Sequence, residues 1–364
     1  MLSGRLKTAA KMAVSVGLLG WVVHKAGLRN IADTLAHASL GWLAAAIVLG
    51  FAATCVQATQ WHALLEAHGL RRTWWRCLRL VFVGNTFNSI LPSSIGGDVA
   101  RAMMVADTPA ERVPAASTVV LQRLCNFPGM IVLMTLGLLL TLGDSRASEI
   151  RLVALAGVLV GAAGLALCMT PLLGRLAALP VLQTRRPGRV LAKLLGALDA
   201  FRGRRSELLF ASARGTAFWG LSVVNQWAFM HAVGVPIPLT YAAIVVTTIN
   251  ALTMLPISIN GYGIRENGFS RWLGPLFGSG AAAAQKGTAV GFLLAAQSLL
   301  WAGIGVVFWL TDKRHKEAAE AARAAAAAPA AAGDAAETTG QAGLETIEET
   351  TEAPAGRMSQ RIAS

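Results

Sequence analysis

The sequence predicts an all-α polytopic membrane protein: about six full transmembrane helices and two re-entrant helical hairpins, arranged as an inverted repeat. Three observations carry the prediction. Apolar residues make up 54% of the chain against 14% charged, with mean hydropathy +0.54, outside the ordinary range of soluble domains. Basic residues gather between apolar runs rather than within them. Two related Pro-Gly stretches, 84–101 and 250–266, interrupt apolar sequence with polar and charged side chains.

The charge supports the same class. The formal net charge is +13, and the segment 317–364 holds eight acids and three Arg, so residues before it carry 29 basic against 11 acidic side chains, or +18. Basic loops between apolar spans account for this excess without nucleic acid as a partner. The four Cys are scattered without a C-x-x-C pair, and neither metal, disulfide nor other cofactor is expected.

Taken in order, Arg5, Lys7 and Lys11 come before a short apolar run, which reads as an uncleaved signal anchor, and a first span covers about 8–27. A second span covers about 41–62. Both approach the ~20 residues a helix needs to cross ~30 Å of hydrocarbon. Arg71, Arg72, Arg76 and Arg79 surround Trp74 and Trp75, as in a cytoplasmic interfacial segment. The apolar leg 80–91 then enters the first polar stretch. Spans at about 114–142 and 150–171 follow, and the loop from Arg175 to Arg205 sets eight basic residues against Asp199. A span at about 208–232, a leg at 239–255 into the second polar stretch and a span at about 287–310 complete the transmembrane domain, 1–316. Its inverted halves run roughly 5–142 and 150–312. The Ala-rich remainder, 317–364, lacks the large apolar groups a core requires and is expected to be a disordered cytoplasmic tail.

Parity fixes the hairpins. The loops at 71–79, 175–205 and 312–316 are all basic and therefore share the cytoplasmic side, so an even number of crossings separates each from the next. Two clear spans already lie in each interval, so each polar stretch with its flanks crosses twice or not at all. The leg 80–91 rises only about 18 Å, too short to cross. A hairpin entering from the cytoplasm, followed by one entering from outside, satisfies the count. The two tips then meet in a polar cavity, since irregular backbone at that depth needs protein or water around it.

Laying Pro92 on Pro256 matches Ser94, Ile95, Gly97 and Arg101 with Ser258, Ile259, Gly261 and Arg265, and each copy has an acid near its Arg, Asp98 and Glu266. Asn85 and Asn88 precede the first copy and Asn250 the second. Pro stops each helix, Gly permits a tight turn, and a helix restarting near Asp98 or Tyr262 offers its N-terminus to an anion that an Arg can hold bidentately. Arg123, beside Gln122 and Asn126, either lines the same cavity or snorkels. The candidate binding set is therefore Asn85, Asn88, Ser94, Gly97, Asp98, Arg101, Arg123, Asn250, Ser258, Gly261, Arg265 and Glu266. Asp98 and Glu266 either pair with their Arg to brace the turns or take up a proton or cation; the residues leave both readings open.

In these motifs, Asn-x-x-x-Pro-x-x-x-Gly-Gly-Asp-x-x-Arg at 88–101 and Pro-x-x-x-x-Gly-x-Gly-x-Arg-Glu at 256–266, the chain resembles the flippase-like family typified by the membrane region of lysylphosphatidylglycerol synthases. The resemblance spans about 5–312. It implies a bacterial inner-membrane protein, with both termini cytoplasmic, that moves phospholipids, aminoacylated lipids, lipid-linked sugars or hopanoid-type lipids between leaflets. The soluble synthase domain of the two-part enzymes is not expected after Lys316, so the chain is not expected to be an enzyme. Asn260, where the first copy has Gly96, sets the two tips apart. The leading expectation is a lipid flippase in which Arg101 and Arg265 engage an anionic head group while Asp98 and Glu266 tune or couple the cycle. The alternatives are a membrane-embedded transferase using Asp98 or Glu266 as base on a lipid-linked substrate, and a partner that supplies lipid to a separate enzyme.

Overall fold

The structure is a computed structural model. It describes residues 36–90, 96–170, 205–254, 261, 263–277 and 281–311, with 175 and 178. The expected first span, most of the basic loop and the Ala-rich tail lie outside them. Among the described residues every regular element is helical: α1 (Leu40–Ala67), α2 (Trp74–Ile90), α3 (Gly96–Val105), α4 (Arg112–Leu140), α5 (Ser148–Met169), α6 (Arg205–Ala232), α7 (Leu239–Thr253), α8 (Ile264–Phe277) and α9 (Ala281–Thr311), with single 3-10 turns before α4 and α5. The chain divides into two compact units after Trp309. Of the second unit only Leu310 and Thr311, the end of α9, are described.

Among the described residues four helices are long and apolar enough to cross a membrane, lying at Leu40–Ala67, Pro109–Leu140, Ser145–Ala166 and Ala282–Thr311. Helix α6 is as long as α1, at 28 residues, but Glu207, Arg214, Asn225 and Gln226 make it more polar. Those amides are buried, so its polarity faces the bundle. The leg expected at 80–91 begins earlier, at Trp74. Its 17 residues rise about 25 Å, and the 15 of α7 about 22 Å, both short of the hydrocarbon thickness.

Helices α1 and α6 form the antiparallel centre. Ser39 N donates to Ala232 O at 2.8 Å, and Gln60 Nε2 donates to Ala211 O at 2.9 Å while Asn225 Nδ2 donates to Ala46 O. Gln60 and Asn225 stand 165 positions apart in the chain, and so do Ala46 and Ala211. The same bond is thus made in both directions, as a two-fold relation between α1 and α6 requires. The helix ends repeat it. Gly69, φ +77°, and Gly234, φ +69°, occupy the left-handed position that ends each helix. Leu70 N reaches back to Leu65 O, and Val235 N to Met230 O, both at 2.9 Å, satisfying carbonyls that the helix leaves open.

Around this centre, α2 packs on α3 and α7 on α8. The open ends of the first pair lie where α1 finishes: Trp74 Nε1 donates to Thr59 Oγ1 at 3.0 Å. There Arg72 and Arg76 hold Asp107 at 2.9 Å, and Arg72 also holds Glu111. The open ends of the second pair lie where α1 begins and α6 finishes: Tyr241 donates to Asp144, and Arg271 Nε to Glu149 at 2.6 Å. Small residues seat the outer helices. A Cβ at Gly137 of α4 would lie 2.8 Å from Ile244 of α7, and one at Gly305 of α9 only 2.1 Å from the Phe82 carbonyl of α2. Between apolar helices in lipid, such close backbone approach replaces the hydrophobic drive of a soluble core.

Candidate functional site

The interrupted helices are held by their own side chains. In the first pair, Asn88 Oδ1 accepts from Gly97 N at 2.8 Å, satisfying one of the open N–H groups that begin α3. A Cβ at Gly97 would fall 1.9 Å from the Gly84 carbonyl, so only Gly lets α2 and α3 meet backbone to backbone. In the second pair the turn uses Gly261 at φ +75° and Gly263 at φ +82°, a region costly to any residue with a Cβ. Glu266 Oε2 reaches back to accept from Gly263 N at 2.6 Å, as a capping-box acid does.

A cavity of about 390 Å³ opens between the pairs. The first pair contributes Gly84, Asn85, Asn88, Asp98 and Arg101 to its wall, and the second Thr253, Met254 and Arg265. Helix α4 adds Gln122, Arg123, Asn126 and Phe127; α1 adds Gln57, and α6 adds Phe218 and Trp219. Behind this wall the amides are mutually bound. Gln122 Nε2 donates to Gln57 O at 2.8 Å, and Gln60 Nε2 to Asn126 Oδ1 at 2.9 Å.

Charge is concentrated at Asp98, where each carboxylate oxygen takes one guanidinium. Arg101 NH2 lies 2.9 Å from Oδ1, and Arg123 Nε donates to Oδ2. The i, i+3 spacing puts Asp98 and Arg101 on one helical face, while Arg123 arrives from α4. Arg101 is 4% exposed and lies over the Trp61 ring at 4.9 Å from its centroid; a desolvated cation–π contact contributes about 2 kcal/mol. The Trp61 ring is fixed by its Nε1 donating to Thr118 Oγ1 at 3.0 Å. The side chain of Arg123 is 45% exposed. Of the two arginines on Asp98, Arg101 is therefore tightly packed and Arg123 the more exposed.

The expected residues separate into groups. Asn85, Asn88, Asp98, Arg101, Arg123 and Arg265 all line the cavity. Gly97 and Gly261 serve the turns behind it, and Ser94 and Ser258 lie outside the described residues. Asn250 donates to Val246 O of its own helix at 2.7 Å, and the α7 wall is made by Thr253 and Met254 instead. Glu266 is fully buried and stands away from the cavity, against α9 at Gly291, where an added Cβ would meet Glu266 Cα at 2.7 Å. Following Arg265 directly, it is turned about 100° around the helix from it. Sequence reasoning missed Gln57, Phe127, Phe218 and Trp219. An amide inside an apolar run one turn from Gln60 was a usable signal for Gln57, whereas the aromatic residues looked like ordinary span residues.

The family model describing the lysylphosphatidylglycerol synthase TM region matches residues 8–300. No curated protein and no solved structure matches the chain. The match takes in both interrupted helix pairs and every wall residue of the cavity, and the chain belongs to the family of lysylphosphatidylglycerol synthase transmembrane regions.

Proposed function

We propose that the protein is a lipid flippase of the bacterial inner membrane, moving a phospholipid or lipid-linked head group between leaflets through the cavity between two re-entrant hairpins. The observation that carries this reading is the cavity itself: both interrupted helix pairs and three central helices supply its polar wall within a bundle of otherwise apolar helices. Polar and charged side chains at such a place cost several kcal/mol unless they serve a pathway or pair with each other.

Helices α2 and α7 are too short to cross, and the open ends of their pairs lie at opposite ends of α1. These features support hairpins entering from opposite sides. The end bearing Arg71, Arg72, Arg76 and Arg79 is taken as cytoplasmic, and α6 as a further crossing beside the four most apolar helices. The exchanged Gln60 and Asn225 bonds support an inverted repeat, in which rocking of the halves exposes the cavity alternately. Transport is favoured over a transferase because Asp98, the one carboxylate among the described wall residues, has each of its oxygens engaged by a guanidinium group, whereas a general base must reach its acceptor.

The test is reconstitution into vesicles carrying a fluorescent lipid. The parent should speed exchange between leaflets over protein-free vesicles, and the Arg101→Ala, Arg265→Ala double variant should lower that rate at least tenfold. Equal rates with and without the protein would remove the proposal.

A further inference from the structure

We propose that Arg79 and Trp75 form a phospholipid site on the outer face of α2. A lipid phosphate rests on the Arg79 guanidinium, and an acyl chain lies along the aromatic seam where α1, α2 and α9 meet. The site shares no residue with the cavity wall and stands whether or not the protein moves lipid between leaflets.

The arginines around Trp74 and Trp75 divide by helix face. Arg72 and Arg76 turn to α3, where they hold Asp107 and Glu111. Arg72 also donates to Val105 O at 2.9 Å and Arg76 to Met104 O at 3.2 Å. Arg79 is exposed and stays outside that network. Among the described residues it meets neither a carboxylate nor a hydrogen-bond acceptor, and its guanidinium lies 5.8 Å from the centre of the Phe308 ring of α9. Trp75, four residues earlier and on the same face, is 65% exposed, and its indole N–H likewise has no acceptor among the described residues. Indole rings gather at the level of lipid head groups, and an exposed guanidinium there needs an acceptor from outside the chain.

Past Arg79 the same face of α2 is covered by α9. Phe82, one turn on, packs against Phe308 and Trp301 with ring centres 5.9 and 5.7 Å apart, and Thr86 donates to Ala302 O at 2.6 Å. Phe308 and Trp301 stand two turns apart on one face of α9, so the rings extend about 10 Å along that helix, away from Arg79. Phe51 of α1, 45% exposed, meets Phe82 at 6.3 Å and Trp301 at 6.4 Å. The seam thus sets a cation and an indole donor at one end and a partly open aromatic surface beyond them. A phospholipid joins a phosphate to an acyl chain in the same order, with a charge that complements the guanidinium. A soluble anion would use the first part alone.

The experiment is photolabelling of the delipidated full-length protein in a sugar detergent, with phosphatidylglycerol and diacylglycerol that carry the same diazirine-bearing acyl chain. Labelled peptides are identified by mass spectrometry. Phosphatidylglycerol should label the peptides holding Phe51 and Trp301 to Phe308 at least fivefold more than diacylglycerol does. Arg79→Gln should lower that labelling at least fivefold while diacylglycerol labelling stays within twofold. Arg79→Lys, which keeps a cation, should retain at least half, and Trp75→Leu should lose about half. The proposal is overturned if Arg79→Gln labels like the parent, if diacylglycerol labels the seam as well as phosphatidylglycerol, or if labelling drops equally elsewhere in the chain. It is also overturned if inorganic phosphate at the probe's concentration suppresses the labelling, which would mark a site for a soluble anion.

Discussion

The two interrupted helix pairs come from similar sequence and use their acids in opposite ways. In α2/α3, Asp98 stands three residues before Arg101, shares its face and turns to the cavity, where it joins Arg101 and Arg123. In α7/α8, Glu266 follows Arg265 directly, faces away and caps the turn at Gly263. The first turn is held by a side-chain amide and a close Gly-Gly contact, the second by two glycines of positive φ and a carboxylate. One proline-glycine-arginine pattern therefore builds two different half-sites. The spacing between acid and base, one residue or three, decides whether the acid shares the helical face of its arginine.

The largest expected effect tests that division. Asp98→Asn leaves the buried Arg101 without its anion and should cost about 3–5 kcal/mol, read as a lower Tm of the detergent-solubilised protein. Glu266→Gln keeps a carbonyl oxygen for Gly263 N and should cost about 1 kcal/mol. Equal losses would mean that the two acids do the same work.

Next come the turns. Gly97→Ala drives a methyl into the Gly84 carbonyl and should cost about 3 kcal/mol. Gly261→Ala meets strain from its positive φ and the Thr253 side chain, a cost of about 2 kcal/mol. The ranking is checked by fluorescence-monitored size exclusion after a heating series. A smaller effect is expected at Asn88→Ala, which removes one cap bond and about 1 kcal/mol. Asn88→Asp should recover most of it in the same assay, because a carboxylate still accepts from Gly97 N.

The smallest effect is pH-dependent and lies at the open end of the second pair. The Arg146 guanidinium, then the Tyr241 hydroxyl, hold the Asp144 carboxyl well below the usual carboxylate range. A folded-state value below the unfolded one, about 3.9, stabilises fully above that pH and is lost as pH falls toward the folded value. The Tm gap between the parent and Asp144→Asn should therefore be full at pH 7 and narrow below about pH 4. A gap that widens in acid would reverse the assignment.

Much of this was legible in residue order. Apolar runs of span length, basic clusters and the prolines gave α1, α4, α5 and α9 to within a few residues, apart from the earlier start of α9. The Pro92 and Pro256 alignment located both interrupted pairs. Arg123 stayed ambiguous, because a helical wheel shows which residues share a face but not what that face meets. Glu266 looked equivalent to Asp98 because the alignment compared proximity in sequence, and a helix turns adjacent residues about 100° apart.

By itself, then, the sequence determined the class of the protein, the short legs and the placing of proline, glycine and arginine at their ends, because hydrophobic length and backbone preference act within a few turns. The tertiary structure alone decided which of those charges share a chamber. Arg123 meets Asp98 across 25 positions, and Arg265 reaches the same wall from the other half of the chain. That convergence depends on how α1 and α6 cross, through buried amide bonds such as Gln60 to Ala211, made between residues 151 positions apart. No local preference in the chain encodes such a bond.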